Sequence, residues 1–246
     1  GEYYKFSGQM DKALESFKYA HELIAKSEGA LDRLIDHYLN TGKLDEAEKI
    51  VTALLEKNKK DLAGRYFTGR LNLAKGKTDE AIELLQGVIK DEPQSAPAHQ
   101  YLGLAFAQKN DLSRARQELG EAVKAASNLP DVHTQLAAIH LTEGSNDLAI
   151  EEAQTALRQN QRDVKAATIL GDAYLRKGDL AKGKETYEVI AKALPNAPFF
   201  LYRLGLIARA EKNDAKALTY FEDALKQNPN FLDPLVQIAS IKQTQN

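Results

Sequence analysis

Small and bulky apolar residues recur along this chain at a constant stride. Stepping from Ala115 by 34 residues gives Ala149, Gly183 and Ala217 forwards, and Ala81, Ala47 and Ala13 backwards. Four residues after each lies a second apolar column: Phe17, Val51, Leu85, Leu119, Ala153, Tyr187 and Phe221. Seven residues after lies a third: Ala20, Leu54, Val88, Ala122, Ala156, Ile190 and Ala224. Spacings of four and seven place the three columns on one helical face. Strict register without an insertion means that one supersecondary unit repeats along the chain.

Each unit reads as two helices. Ala167, Leu170, Gly171 and Tyr174 form a helical stripe, Gly178 ends that helix and Asp179 caps the next. The second helix carries Gly183, Tyr187 and Ile190 on one face, and "ALPNAP" (193–198) closes the unit, with Pro195 ending one helix and Pro198 beginning another. Gly8, Gly42, Gly76, Gly144 and Gly178 mark the turn between the two helices, with Asn110 and Lys212 as departures. No stretch reads as a strand. In "YLGLAFAQKNDLSRARQELGEAV" (101–123), Gly103 and Ala115 are predicted where two backbones approach, and Leu102, Phe106 and Leu119 where gaps must be filled. A single helix pair cannot bury both of its faces, so the pairs must stack.

At these residues the chain resembles the tetratricopeptide repeat family, whose 34-residue pattern is W-x2-L-G-x2-Y, then A-x3-F, then P. Leu170, Gly171, Tyr174, Gly183, Tyr187 and Pro195 match it, with Gly in place of the usual Ala; Leu204, Gly205, Ala217, Phe221 and Pro229 match in the next unit. The family's Trp is absent, its places holding Leu31, Arg65, His99, His133, Ala167, Leu201 and Leu235; Thr68 and Asn72 replace the expected Leu and Tyr. The resemblance implies an all-α fold, a right-handed superhelical solenoid of antiparallel helix pairs. The units are then a partial repeat at 1–27, full repeats at 28–61, 62–95, 96–129, 130–163, 164–197 and 198–231, and a last helix at 232–246. That helix reads either as a cap made polar by Gln237, Lys242, Gln243 and Gln245, or as the start of a truncated repeat. The chain opens without Met, and both ends fall inside repeats, as in a fragment of a longer, bacterial array.

Composition narrows the function classes. With 33 basic and 35 acidic residues there is no whole-molecule attraction to nucleic acid or anionic lipid. The absence of Cys excludes disulfides and thiolate chemistry but leaves cytosol and periplasm equally open. No apolar run approaches the roughly 20 residues needed to span a bilayer. No phosphate-binding loop, dinucleotide fingerprint or nucleophile elbow occurs, and no cofactor is expected. His21, His37, His99, His133 and His140 are the metal or acid–base candidates. His99 and His133 are one repeat apart and are expected to fill the slot between neighbouring first helices rather than to hold a metal, which needs a third ligand. The chain is therefore read as non-catalytic.

The informative side chains are those that packing does not use. The resemblance implies that first helices line a concave groove holding an extended or helical peptide. The stripe projected onto it comprises Arg33, Asp36, Asn40, Tyr66, Phe67, Arg70, Gln100, Tyr101, Leu104 and Gln108, then Thr134, Gln135, Lys165, Thr168, Asp172 and Arg176, then Phe199, Tyr202, Arg203 and Arg209. Tyr66, Phe67, Arg70 and Tyr101 form an aromatic–guanidinium cluster of hot-spot residue types. Lys165, Arg176, Arg203 and Arg209 with Phe199 and Tyr202 form a basic one suited to a carboxylate or phosphate, and Asp172 is expected to pair with Arg176 at i, i+4. The family's Lys–Asn clamp for a C-terminal carboxylate is not expected, because its places hold Asp32–Asp36, Tyr66–Arg70 and Thr168–Asp172. The expected function is a scaffold for a protein or peptide. The alternatives are a spacer or self-assembling region, associating through array ends, of a bacterial envelope or exopolysaccharide-export type protein and, less favoured, binding of nucleic acid or an anionic polymer.

Overall fold

The computed structural model describes residue 5 and residues 9–23, 28–129 and 131–245. Among them are helices α1 (Met10–Leu23), α2 (Glu28–Asn40), α3 (Leu44–Lys57), α4 (Leu62–Ala74), α5 (Thr78–Asp91), α6 (Ala96–Gln108), α7 (Leu112–Ala125), α8 (Val132–Thr142), α9 (Asn146–Gln159), α10 (Val164–Arg176), α11 (Leu180–Ala193), α12 (Pro198–Ala210), α13 (Asp214–Gln227) and α14 (Leu232–Gln245), and no strand. Gly8 and most of the start of the partial repeat lie outside the described residues, as do the side chains of Ala20 and His21.

The apolar columns explain why these helices bury the face they do. Ala13, Ala47, Ala81, Ala115, Ala149 and Ala217 are each 0% exposed, and the Phe17-to-Phe221 column is buried throughout. The first column is small because backbones meet there. A Cβ built on Gly103 would lie 2.8 Å from Leu119 Cγ and 3.1 Å from the Ala115 carbonyl oxygen. The contact is tuned hairpin by hairpin. Gly69, Gly103, Gly171 and Gly205 face Leu85, Leu119, Tyr187 and Phe221, whereas α8 and α9 carry Ala137 and Ala153 at those places and α2 and α3 carry Ile35 and Val51. In four hairpins a glycine thus sits opposite a bulky residue, which close packing of the two backbones requires, while the other two fill the same register without glycine.

The turns follow local chemistry. Asp61, Asp111, Asp163, Asp179 and Asn213 cap α4, α7, α10, α11 and α13 by accepting the main-chain N–H three residues on. Gly178 adopts φ +83°, and the two departures from glycine adopt the same left-handed conformation, Asn110 at +60° and Lys212 at +59°. Asn tolerates that region; Lys does so at a cost.

The chain forms two compact units, residues 1–129 and 130–246. In the first, α1 packs on α2, α3 and α5 each lie between their own first helix and the next, α7 closes on α6, and α2, α4 and α6 stand side by side. In the second, α9, α11 and α13 are each held between two first helices in the same way, and α8 stands beside α10. On α14, Pro234 and Ile241 are buried while Leu232, Leu235 and Val236 are exposed. Gln237 is half-buried and accepts a hydrogen bond from Arg209, while Lys242 and Gln243 are exposed.

Candidate partner-binding face

In the first unit, α2, α4 and α6 bring Asp32, Asp36, Tyr66, Phe67, Arg70 and Tyr101 together. The Arg70 guanidinium, with only 1% of its side chain exposed, donates from one terminal nitrogen to Asp32 and from the other to Asp36. Its Cζ lies 4.4 Å from the Tyr101 ring centroid, 5.4 Å from Tyr66 and 5.5 Å from Phe67. Tyr66 and Tyr101 themselves meet edge-on at 5.8 Å. Burial works against the charge on Arg70, but Tyr101, Tyr66, Asp36 and Asp32 outweigh it and hold the guanidinium cationic. Burial pushes the Tyr66 hydroxyl far up, so it stays protonated. One guanidinium serves two carboxylates. Asp32 is consequently raised, first by burial and then by the charge of Asp36, against the attraction of Arg70.

The structure corrects the projected stripe here. Phe67 is 2% exposed and belongs to the core, Arg70 is enclosed, and Gln100 is 8% exposed. The aromatic–guanidinium cluster is thus a joint between adjacent first helices. Arg33, Asn40 and Gln108 are exposed, and Asp36, Tyr66, Tyr101 and Leu104 half-buried, around it. Gln108 also accepts from Thr78 at 2.9 Å.

The second unit repeats this logic with other residues. Asp172 on α10 pairs with Arg203 on α12 and accepts from the Tyr187 hydroxyl at 2.7 Å, while Arg203 Nε donates to that hydroxyl at 3.2 Å. Burial pushes the Tyr187 hydroxyl up and the Arg203 guanidinium down. The expected Asp172–Arg176 pair is therefore not formed. Arg176 instead donates to the Leu141 carbonyl at 2.5 Å. Arg209 donates to Gln237 and Ser240 on α14. All three guanidiniums of the basic cluster bond within the fold, Arg203 and Arg209 half-buried and Arg176 exposed; Lys165 and the Phe199 ring are exposed as well. Thr134, buried, donates to Asp163 at 2.6 Å; Gln135 and Thr168 are half-buried. Tyr202 packs its ring 5.9 Å from Phe221 and 5.3 Å from Phe231.

The histidines also differ from expectation. His99 Nδ1 lies 2.7 Å from Glu118 and Nε2 lies 3.1 Å from the Pro93 carbonyl oxygen; His133 Nδ1 lies 2.7 Å from Glu152. The two carboxylate contacts join each first helix to its own second helix, and the Pro93 contact joins His99 to the turn before its helix. The identical offset of 19 in both pairs was a readable signal. Arg65, at the same place one repeat earlier, likewise reaches Asp91 at 2.5 Å. No group of three or more His, Asp or Glu able to hold a metal occurs among the described residues, and no helix there is long and apolar enough to cross a membrane.

Known proteins match this architecture. The chain is 27% identical over 160 residues, 62% of its length, to the type IV pilus assembly protein PilF of Pseudomonas aeruginosa, and 24% identical over 240 residues to mouse tetratricopeptide repeat protein 21A. It spans 61% of the first relative and 18% of the second, less than two thirds of either. Among solved structures, YrrB, a TPR protein with an unusual peptide-binding site, superposes with a TM-score of 0.66 at 19% identity, covering 78% of this chain and 97% of YrrB. MamA from Desulfovibrio magneticus gives 0.65 at 21% identity, covering 70% of this chain and 97% of MamA. Tetratricopeptide repeat models match residues 33–96 and 134–198, 72–139, and 198–231. With more than half of its length so matched, the chain belongs to the tetratricopeptide repeat family, and its fold is that of a protein–protein interaction scaffold.

Proposed function

We propose that the first-helix face of each unit binds an extended or helical segment of a protein partner, with no chemistry performed on it. The observation that carries this reading is the division of labour on α2, α4 and α6. Arg70, Phe67 and the inner edges of Tyr66 and Tyr101 lock the helices together, while Arg33, Asn40, Leu104 and Gln108 remain at the surface around that rigid joint. A preorganised surface of aromatic edges, one aliphatic residue and mixed polar groups loses little entropy on binding a peptide. Phe199 and Lys165 give the second unit a comparable surface.

Peptides selected from a random library on the intact chain test this. Binding of the selected peptides is expected to fall at least tenfold with Leu104→Asp or Gln108→Trp in one set, or with Phe199→Asp in another. Selected peptides that ignore these changes and respond to substitutions on the outer surface of the second helices sink the proposal. A part in assembling a surface filament is a second reading. It rests on the likeness to a pilus assembly protein, and unchanged filaments after deletion of the gene would remove it.

A further inference from the structure

The first helices of the second unit hold two guanidiniums whose charge the fold does not cancel. Arg65, Arg70 and Arg203 each meet a carboxylate: Asp91, Asp32 with Asp36, and Asp172. Arg176 and Arg209 do not. Arg176 donates to the Leu141 carbonyl at 2.5 Å, and Arg209 donates to the side-chain oxygens of Gln237 and Ser240, so the acceptors they meet among the described residues are neutral. Each stands in the last turn of its helix, α10 or α12, where the negative end of the helix dipole favours a cation. The charge is therefore tolerated without an internal counter-ion.

Neighbouring charges do not cancel it either. Lys177, beside Arg176, pairs with Asp147, and Glu211, two residues after Arg209, lies 2.8 Å from Lys184. Glu143, at the end of α8, lies 3.8 Å from His140 Nδ1. Asp131 and Asp233 are exposed, but at the opposite, N-terminal ends of α8 and α14.

A guanidinium has five N–H donors. Arg176 and Arg209 use one or two of them on neutral oxygens that fix their direction. The remaining donors and the whole charge are left for an acceptor from outside, and a planar fork held in place favours a carboxylate. The first unit has no counterpart. Asn40, Ala74 and Gln108 stand in register with Arg176, and Leu39, Leu73 and Ala107 with Arg209. An apolar contact lies on the same helices, since Phe199, 44% exposed, stands in the first turn of α12. Ten residues separate it from Arg209, about 15 Å along the helix axis. An extended segment covers that distance in about five residues.

We propose that the first-helix face of the second unit takes an acidic, extended segment of a partner protein, with internal Asp or Glu side chains meeting Arg176 and Arg209 and an apolar side chain about five residues away meeting Phe199. This rests on the groove reading and adds the chemistry of the occupant.

Random displayed peptides are selected on the intact 246-residue chain carrying Leu104→Asp, which removes the surface of the first unit from the selection, and are resynthesised with amidated C-termini. The peptides are expected to be rich in Asp and Glu and to carry an aromatic or aliphatic residue at the stated spacing. Their affinity is expected to fall at least tenfold with Arg176→Gln or Arg209→Gln, and in 1 M salt, where the screening length shrinks to about 3 Å. Lys192→Gln, on the outer surface of α11, is expected to leave affinity unchanged. Arg209→Glu is expected to lose the acidic peptide and to regain binding when the peptide's Glu is changed to Lys, a rescue that a misfolded variant cannot give. Neutral peptides that respond to Phe199→Asp but ignore both arginine changes overturn this proposal and leave the groove reading intact. Peptides that ignore Phe199→Asp as well, or no selected peptide at all, sink both. Binding that requires a free C-terminal carboxylate, or a single-stranded RNA that binds more tightly than the peptides and displaces them, also overturns the acidic-segment assignment.

Discussion

Replacing Gly205 by Ala should change sign with the residue it faces. A Cβ on Gly205 would lie 2.3 Å from Phe221 Cε1, 2.6 Å from Cδ1 and 2.9 Å from Cζ. Those atoms belong to a ring that is 0% exposed and boxed in by Ala208, Ala217 and Ile241, so it cannot rotate away. Overpacking of this kind costs about 1–3 kcal/mol. The glycine-to-alanine change itself favours the helix by about 1 kcal/mol, so the clash wins and Gly205→Ala destabilises. Phe221→Ala alone opens a cavity and costs about 3–5 kcal/mol. In that background the clash is gone, the helix preference remains and the new methyl fills part of the void. Gly205→Ala should then stabilise by up to about 1 kcal/mol, reproducing the pairing of Ala137 with Ala153. Urea unfolding of the four chains, followed by helical circular dichroism and by hydrogen exchange in α12–α14, supplies the cycle. A Gly205→Ala effect of the same sign and size in both backgrounds would refute the claim that the hairpin contact is set by paired volumes.

Lys212→Gly, at φ +59°, should raise stability by about 1 kcal/mol, read as an increased unfolding midpoint; an unchanged or lower midpoint contradicts the strain. Arg70→Met should destabilise the first unit by about 2 kcal/mol, below the usual cost of breaking a buried ion pair because Asp32 and Asp36 remain partly open to water; adding Asp36→Asn should recover part of the loss, and strict additivity would show that the carboxylates do not couple to Arg70. Asp32 has a folded-state pKa raised above its unfolded value, so its contribution is fully present below the ordinary aspartate pKa and is lost as pH rises through the raised one. Asp32→Asn should therefore flatten the pH dependence of the urea midpoint on the acid side and raise the midpoint at neutral pH, and a steeper dependence or a lower neutral midpoint would contradict it.

Much of the fold could be read from residue columns because each decides a contact by itself. Ala115 and Leu119 are buried for reasons of volume and period alone, and Asp179 caps a helix through a bond three residues away. The face of the first helices was less legible. Its side chains choose among several partners at similar distance, and sequence spacing does not rank them. Arg176 was placed with Asp172 by its i, i+4 spacing, yet Asp172 is taken by Arg203 and the Tyr187 hydroxyl, which burial makes the stronger partners. Arg70 falls on the projected face because the packing columns do not use it; two carboxylates 34 and 38 residues earlier draw it inside.

The same comparison explains why these residues occur where they do. A stack of hairpins is held mainly by apolar contacts between first and second helices, whereas first helices meet one another across the surface proposed above to receive a partner. An apolar joint there would leave the surface sticky; an exposed ion pair would contribute almost nothing. A guanidinium beside aromatic rings, as Tyr101 roofs Arg70 and Tyr187 accompanies Arg203, is shielded from water on its ring side and leaves ring edges and carboxylate oxygens facing outwards. Such a joint can be rigid without being adhesive. It follows that substitutions in the joint should act on stability first and on peptide affinity only through it, so Arg70→Met should weaken groove binding in proportion to the population unfolded, and binding measured well below the unfolding midpoint should be nearly that of the parent chain.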